Sequence, residues 1–218
     1  MVELTITGKT KLLGVIGHPI EHSLSPVMHN AAIAKLGLNY VYLPFPIHPD
    51  DLQVALAGFA AIAIVGFNIT IPHKQAIIPL LSEVSPIARA IGAVNTVWRT
   101  ENGWSGTNTD VSGFLAPLQG YNCHWNETIA VILGYGGAAR AVVAGLAQLG
   151  VQQMYVVGRH PQKLTDFIDS WKNTEISVHL CGVNWVDLPD LISTADILVN
   201  TTPIGMYPQI DDTPVSAE

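Results

Sequence analysis

Thr128-Ile-Ala-Val-Ile-Leu-Gly-Tyr-Gly-Gly-Ala-Ala-Arg140 decides the fold of the second half of this chain. A β-branched apolar run ends in glycine. Small residues then open a helical pattern in which Val142, Val143, Leu146 and Leu149 share one face. Strand, tight glycine turn and helix, in that order, form the fingerprint of a dinucleotide-binding unit. Gly134 permits the turn, Gly136 lets the backbone approach a pyrophosphate, and Ala139 allows close helix–strand packing. Gly137 and Ala138 begin the helix, whose free N–H groups and positive dipole end attract an anion. A turn with a purely structural role is the alternative, and the flanking strand and helix weigh against it.

The next strand selects the nucleotide. A carboxylate at its end would accept hydrogen bonds from an adenosine ribose and repel a 2′-phosphate. This strand instead ends in Val157-Gly-Arg-His160, with Lys163 nearby and Arg140 at the start of the previous helix. The cations Arg159, Lys163 and Arg140, with no acid beside them, therefore predict NADP rather than NAD, and Gly158 and His160 are expected at the cofactor with them. The bland alternative is that Arg159 and Lys163 are ordinary solvated charges.

Strands and helices alternate outward from this turn in both directions. Downstream, Met154–Val157, Ile176–Leu180 and Asp196–Asn200 suit strands, and Gln162–Trp171 and Asp187–Ser193 suit helices. Upstream, strands are expected at Lys11–Gly17, Tyr40–Ile47, Ala63–Ile69 and Val94–Arg99, with a turn at Glu101-Asn-Gly103. Ser25–Leu36 reads as a helix capped by Ser25, with Val27, Met28, Ala31, Ala32 and Leu36 on its apolar side. Another helix opens at Pro49-Asp-Asp51, and a third runs from Pro72 to about Leu81. The alternation predicts an α/β protein with parallel sheets covered by helices. The polar segment Gly120–Glu127 leads into the second domain, with a hinge near Ser105–Asp110.

Composition excludes several classes. The 218 residues are 49% hydrophobic and 12% charged, enough apolar material for real cores. A net charge of −7 argues against a sequence-independent grip on nucleic acid. The most apolar stretch, Val54–Phe67, is shorter than the ~20 residues a membrane-spanning helix needs, so no membrane partner is expected. Met1–Lys11 lacks an apolar leader core, and Cys123 and Cys181 lie at no redox or metal spacing. They read as reduced, partly buried thiols of a cytoplasmic protein. His18 and His22 are four apart but flank Pro19, which is no helix face, so no metal site is expected. His73 reads as a site-lining or surface residue.

Four polar motifs interrupt the first half: Gly17-His-Pro-Ile-Glu-His-Ser-Leu-Ser-Pro26, Asn68-Ile-Thr-Ile-Pro-His-Lys74, Gly92-Ala-Val-Asn-Thr96 and Gly106-Thr-Asn-Thr-Asp110. Singly, each has a structural reading as a cap or turn. Together with the glycine turn and the late loop Asn200-Thr-Thr-Pro-Ile-Gly-Met206, they resemble, in order, the motifs of the shikimate dehydrogenase family. The resemblance runs from about Leu13 to Met206. It implies a substrate domain at residues 1–105 and a Rossmann-type, doubly wound NADP domain at 106–218. It also implies reversible reduction of 3-dehydroshikimate to shikimate by NADPH, a step toward chorismate and the aromatic amino acids.

The residues suit that chemistry. A small polyhydroxylated ring acid needs convergent hydrogen-bonding groups. Ser23 and Ser25 are candidates for its carboxylate; Asn68, Thr70, Asn95 and Asp110 line the ring site. Lys74 is the candidate catalytic cation, kept charged by Asp110. It either transfers the proton or polarises the oxygen, and residue types alone allow both. Thr201, Thr202 and Met206 of the late loop are expected at the cofactor.

Tyr135 departs from the family's usual alanine in the glycine turn, and Gly158 from its frequent asparagine or serine. Family members also continue beyond the Asn-Thr-Thr-Pro loop, with a tyrosine and a glutamine that touch substrate. The NADP domain is therefore expected to be incomplete at its carboxyl end. A quinate/shikimate dehydrogenase and a non-catalytic NADP-binding fragment are the rival readings, and whether the protein is monomer or homodimer stays open.

Overall fold

Lys11–Gly17 forms β1, and its last four residues are buried because strands flank it on both sides. The computed structural model describes residues 5–172, 174–176, 178–207 and 210–215. The chain divides into two compact units. The first comprises the residues up to Arg89 together with Ala93–Asn108; the second comprises Ala90–Gly92 and the chain from Thr109 onward.

In the first unit, β1 is followed by helix α1 (Ser25–Lys35), β2 (Tyr40–Pro46), a short 3-10 turn and α2 (Leu52–Ala61). Then come β3 (Gly66–Ile69), α3 (His73–Ala76), β4 (Glu83–Val84), α4 (Pro86–Ile91, whose last residues group with the second unit), β5 (Thr96–Thr100) and β6 (Gly103–Thr107). The sheet order is β2-β1-β3-β5-β6-β4. The pairs β1–β2 and β1–β3 are parallel, whereas β3–β5 and β5–β6 are antiparallel. The sheet is thus mixed rather than purely parallel. The turn at Glu101-Asn-Gly103 accounts for the second antiparallel pair: Gly103 takes φ 123° and folds β6 back on β5 as a hairpin. The β6 sequence, Gly-Trp-Ser-Gly-Thr, lacks the apolar run that announces a strand.

Two helices differ from expectation. Ser25 makes no side-chain cap bond, and Leu24 holds the cap position. Val27, Met28 and Leu36 are exposed, and the buried residue of α1 is Ile33. The inward face is chosen by β2. The Asn30 side chain donates to Tyr42 O (2.8 Å) and accepts from Tyr42 N (2.9 Å), while the His29 ring stacks on the Tyr42 ring. The expected helix from Pro72 to Leu81 breaks into α3 and a 3-10 turn at Ile78–Leu80. Pro79 has no N–H to give the preceding turn and crowds its carbonyl. The first core gathers Ile16, Leu56, Phe59, Ile64, Phe67 and Trp104.

The second unit opens with α5 (Asp110–Leu115), then β7 (Ile129–Leu133), α6 (Gly137–Leu149), β8 (Gln153–Gly158) and α7 (Pro161–Asp169). It continues with β9 (Leu180–Asn184), α8 (Leu188–Ile192) and β10 (Ile197–Asn200). All pairs in the sheet β10-β7-β8-β9 are parallel. The strand expected at Ile176–Leu180 lies later, at Leu180–Asn184; Ser177 falls outside the described residues. Cys123 and Cys181 are both exposed, correcting the expectation of partial burial. No described helix is long and apolar enough to cross a membrane.

Candidate functional site

At the carboxyl ends of β1 and β3 in the first unit, backbone bonds tie three loops together. His18 N donates to Ile71 O (2.9 Å), Thr70 N to Ile16 O (2.9 Å), and Val94 N to Lys74 O (2.8 Å). These loops carry Ser23, Ser25, Thr70, Lys74 and Asn95. Ser23 Oγ accepts from Ser25 N (3.3 Å), which sets the spacing of the two hydroxyls at the start of α1. Lys74 sits in the short helix α3 and is half-buried, while Asn95 is buried.

Asn68 is bonded within the protein through both ends of its amide. Its amide donates to Asn95 O (3.3 Å) and to Thr96 Oγ1 (3.1 Å), and its Oδ1 accepts from the Tyr42 hydroxyl (2.7 Å). Both amide hydrogens are thus engaged inside the protein, and Asn68 orients its neighbours. Thr96 Oγ1 in turn donates to Asn95 Oδ1 (2.9 Å), orienting that amide. Tyr42 anchors the chain of bonds. Burial pushes its phenol well above the ordinary value, so it stays a donor. Tyr42 carried no local signal in the sequence; only the parallel pairing of β2, β1 and β3 brings it near Asn68.

His73 is buried rather than site-lining: it is 1% exposed, with Nε2 2.8 Å from Ile47 O. Asp110 is the first residue of α5 and belongs to the second unit.

In the second unit, the glycine turn lies at the carboxyl end of β7, between the ends of β8 and β10. Gly134 N donates to Val157 O (2.8 Å), and Thr201 N to Leu133 O (2.9 Å). Gly134 has φ 101°, the left-handed region that glycine alone enters cheaply, and a Cβ there would lie 2.8 Å from Thr201 Oγ1. Arg159, His160 and Lys163 are exposed where β8 passes into α7. Asn200, unnoticed in the sequence beyond its motif, organises the late loop: its Oδ1 accepts from Thr202 N and Thr202 Oγ1, and its Nδ2 donates to Ile204 O. The Thr201 hydroxyl donates to Leu133 O (2.6 Å), and Met206 is exposed. A hollow lined by Gly150, Gln152, Gln153 and His179 lies at the opposite, amino-terminal edge of β8, away from these groups.

Residues 15–97 match the model of the shikimate dehydrogenase substrate binding domain. Over 214 residues the chain is 67% identical to the shikimate dehydrogenase (NADP(+)) of Nostoc sp., covering 98% of this chain and 74% of that protein. The chain belongs to the shikimate dehydrogenase family. A solved shikimate dehydrogenase in complex with NADP+ is 40% identical, with TM-score 0.83 over 97% of this chain and 74% of its own. The quinate dehydrogenase of Corynebacterium glutamicum, solved in complex with NAD, is 34% identical with TM-score 0.81, covering 95% and 75% respectively.

Family membership makes the second unit an NADP-binding domain of Rossmann type, and its residues fit that cofactor. Gly136 holds the cap position of α6 in an extended conformation with no side-chain cap bond, and a Cβ on it would meet no protein atom. The fold itself therefore makes no demand for glycine there, whereas a backbone that must approach a pyrophosphate does. Gly137 and Ala138 follow in the first turn of this 13-residue helix, where N–H groups lack intrahelical partners.

Arg140 does not join this set. It is buried, with Nη1 donating to Ile91 O (2.9 Å) and Nη2 to Ser170 Oγ (2.7 Å), and its guanidinium lies over the rings of Phe167 and Trp171. Sequence placed Arg140 in the right turn of the helix, but its side chain points into the core.

Proposed function

We propose that this protein reversibly reduces 3-dehydroshikimate to shikimate with NADPH, the first unit holding the ring acid and the second the dinucleotide. The carrying observation is the bonding together of the loops after β1 and β3 and before β5. It ties together, in a chain of this family, the loops that carry Thr70, Lys74 and Asn95 and the loop that leads on to Ser23 and Ser25. The two serines suit the carboxylate; Thr70 and the pre-oriented Asn95 suit ring hydroxyls. Asp110, the aspartate of the Asn-Thr-Asp segment, is assigned to the ring hydroxyls on its motif.

The nicotinamide supplies hydride to the ketone carbon. The ketone oxygen then needs a proton, and Lys74 is the cation on the substrate loop able to give it. The Lys74 backbone carbonyl accepts from Val94 N, which ties its short helix to the loop before β5. Thr201, Thr202 and Met206 are assigned to the cofactor through the late loop, chiefly by its backbone, since both threonine hydroxyls donate within the protein. NADPH is preferred over NADH, on the exposed cations Arg159 and Lys163 and the absence of an acid at the end of β8. The free, exposed thiols suit a reducing compartment, and the cytoplasm is the proposed location.

The test is NADPH oxidation by the purified protein with 3-dehydroshikimate, with quinate as competing substrate in the reverse direction. Lys74→Ala should lower kcat by at least ~100-fold while leaving the Kd for NADP+ unchanged. A Lys74→Ala protein with most of its turnover would refute the assignment. Faster oxidation of quinate than of shikimate would favour the quinate reading.

A further inference from the structure

Gly158 ends β8 and is buried, although the next two residues, Arg159 and His160, are exposed. The Tyr135 ring covers it. A Cβ placed on Gly158 would lie 2.5 Å from Tyr135 Cδ1, with Cε1 nearer still. Gly158 is not among the positive-φ glycines, so its backbone conformation would accept any residue. What demands glycine at this position is the tyrosine ring. The two residues lie at the carboxyl ends of adjacent parallel strands, and Arg159 follows immediately.

We propose that Tyr135 and Gly158 are a matched pair that shapes the adenosine end of the dinucleotide site. From the glycine turn, the ring fills the space that a side chain at position 158 would take. It forms a wall, beside Arg159, against which the 2′-phosphorylated ribose packs. This rests on the reading of the second unit as the NADP-binding domain and names a selectivity element within it. Any side chain at position 158 evicts the ring. Tyr135 is rooted between Gly134 and Gly136, so the evicted ring moves over the pyrophosphate approach or into solvent. Either way the wall is lost. Without the ring, a small side chain at 158 has room and costs little.

The pair is tested by a double-mutant cycle of the unmodified protein, Gly158→Ser, Tyr135→Ala and the double variant. Titration calorimetry is run with NADP+ and, separately, with 2′,5′-ADP, which carries the adenosine end alone. Gly158→Ser should weaken both ligands roughly tenfold with Tyr135 present and by less than about twofold in the Tyr135→Ala background. Equal costs in the two backgrounds would overturn the pairing, as would coupling seen with NADP+ and absent with 2′,5′-ADP. Arg159→Ala serves as the control. If the unmodified protein binds neither ligand, the dinucleotide reading itself fails; if Arg159→Ala weakens NADP+ while the cycle is additive, only the pair is refuted. Thermal unfolding checks each protein, and Gly158→Ala replaces Gly158→Ser in the cycle if the serine variant does not fold.

Discussion

Arg140 shows how one side chain changes function without changing position. At the start of α6 it sits in the turn assigned to the cofactor's phosphates, yet its guanidinium satisfies the carbonyl of Ile91 and packs on two aromatic rings. Burial lowers its pKa from the ordinary arginine value, though it keeps its charge at any physiological pH. Truncation orphans a buried carbonyl and removes bonds from a charged donor. Arg140→Met should therefore cost roughly 2–4 kcal/mol in urea unfolding, and the folded variant should bind NADP+ as before. A variant of undiminished stability with lost NADP+ affinity would restore Arg140 to the cofactor. Tyr42 and Asn68 make a related point in the first unit: bonds between side chains far apart in sequence decide where their neighbours aim their hydrogens.

At the scale of elements, polar side chains choose the inward face of α1. Its apolar spacing suggested Val27, Met28 and Leu36, but the two-way bond between Asn30 and the Tyr42 backbone turns the helix the other way. β2 is an edge strand of its sheet, so part of its backbone bonding is available to such a pin. Asn30→Ala should cost about 2 kcal/mol by thermal unfolding. Asn30→Asp should cost at least as much, because a carboxylate would face the Tyr42 carbonyl where a donor is needed. A neutral Asn30→Asp would show that the pin contributes nothing. Strand-turn-helix from Ile129 to Leu149 was legible in full, because β-branched run, glycine turn and amphipathic face all agree locally. The hairpin partner β6 was not, because its pairing with β5 supplies the order its own sequence lacks.

The molecule as a whole should respond to acid through His73. This ring is buried against the carbonyl of Ile47. Desolvation lowers its pKa below the ordinary 6.5, with His18 and His48 adding to the effect and the Ile47 bond opposing it. Below pH 6.5 the unfolded chain takes up a proton that the folded chain refuses. The associated stability is complete above that pH and is lost as pH falls through the folded value. The Tm of the unmodified protein should therefore drop more steeply on acidification than that of His73→Gln, whose side chain stays neutral. Parallel profiles for the two proteins would assign the acid sensitivity elsewhere.

Much of this was settled by sequence alone. Two α/β segments, the dinucleotide turn, the basic end of β8 and the order of the substrate motifs depend on near neighbours: periodicity, glycine conformation and residue charge. Tertiary structure decided which way side chains face and what they meet. It turned Arg140 and His73 inward, tied Asn68 to Tyr42, and laid Tyr135 across Gly158. The physical reason is common to all four. Burial makes an unpartnered polar group or an overlapping atom expensive, and the partners that relieve that cost come from strands and loops far apart in the chain.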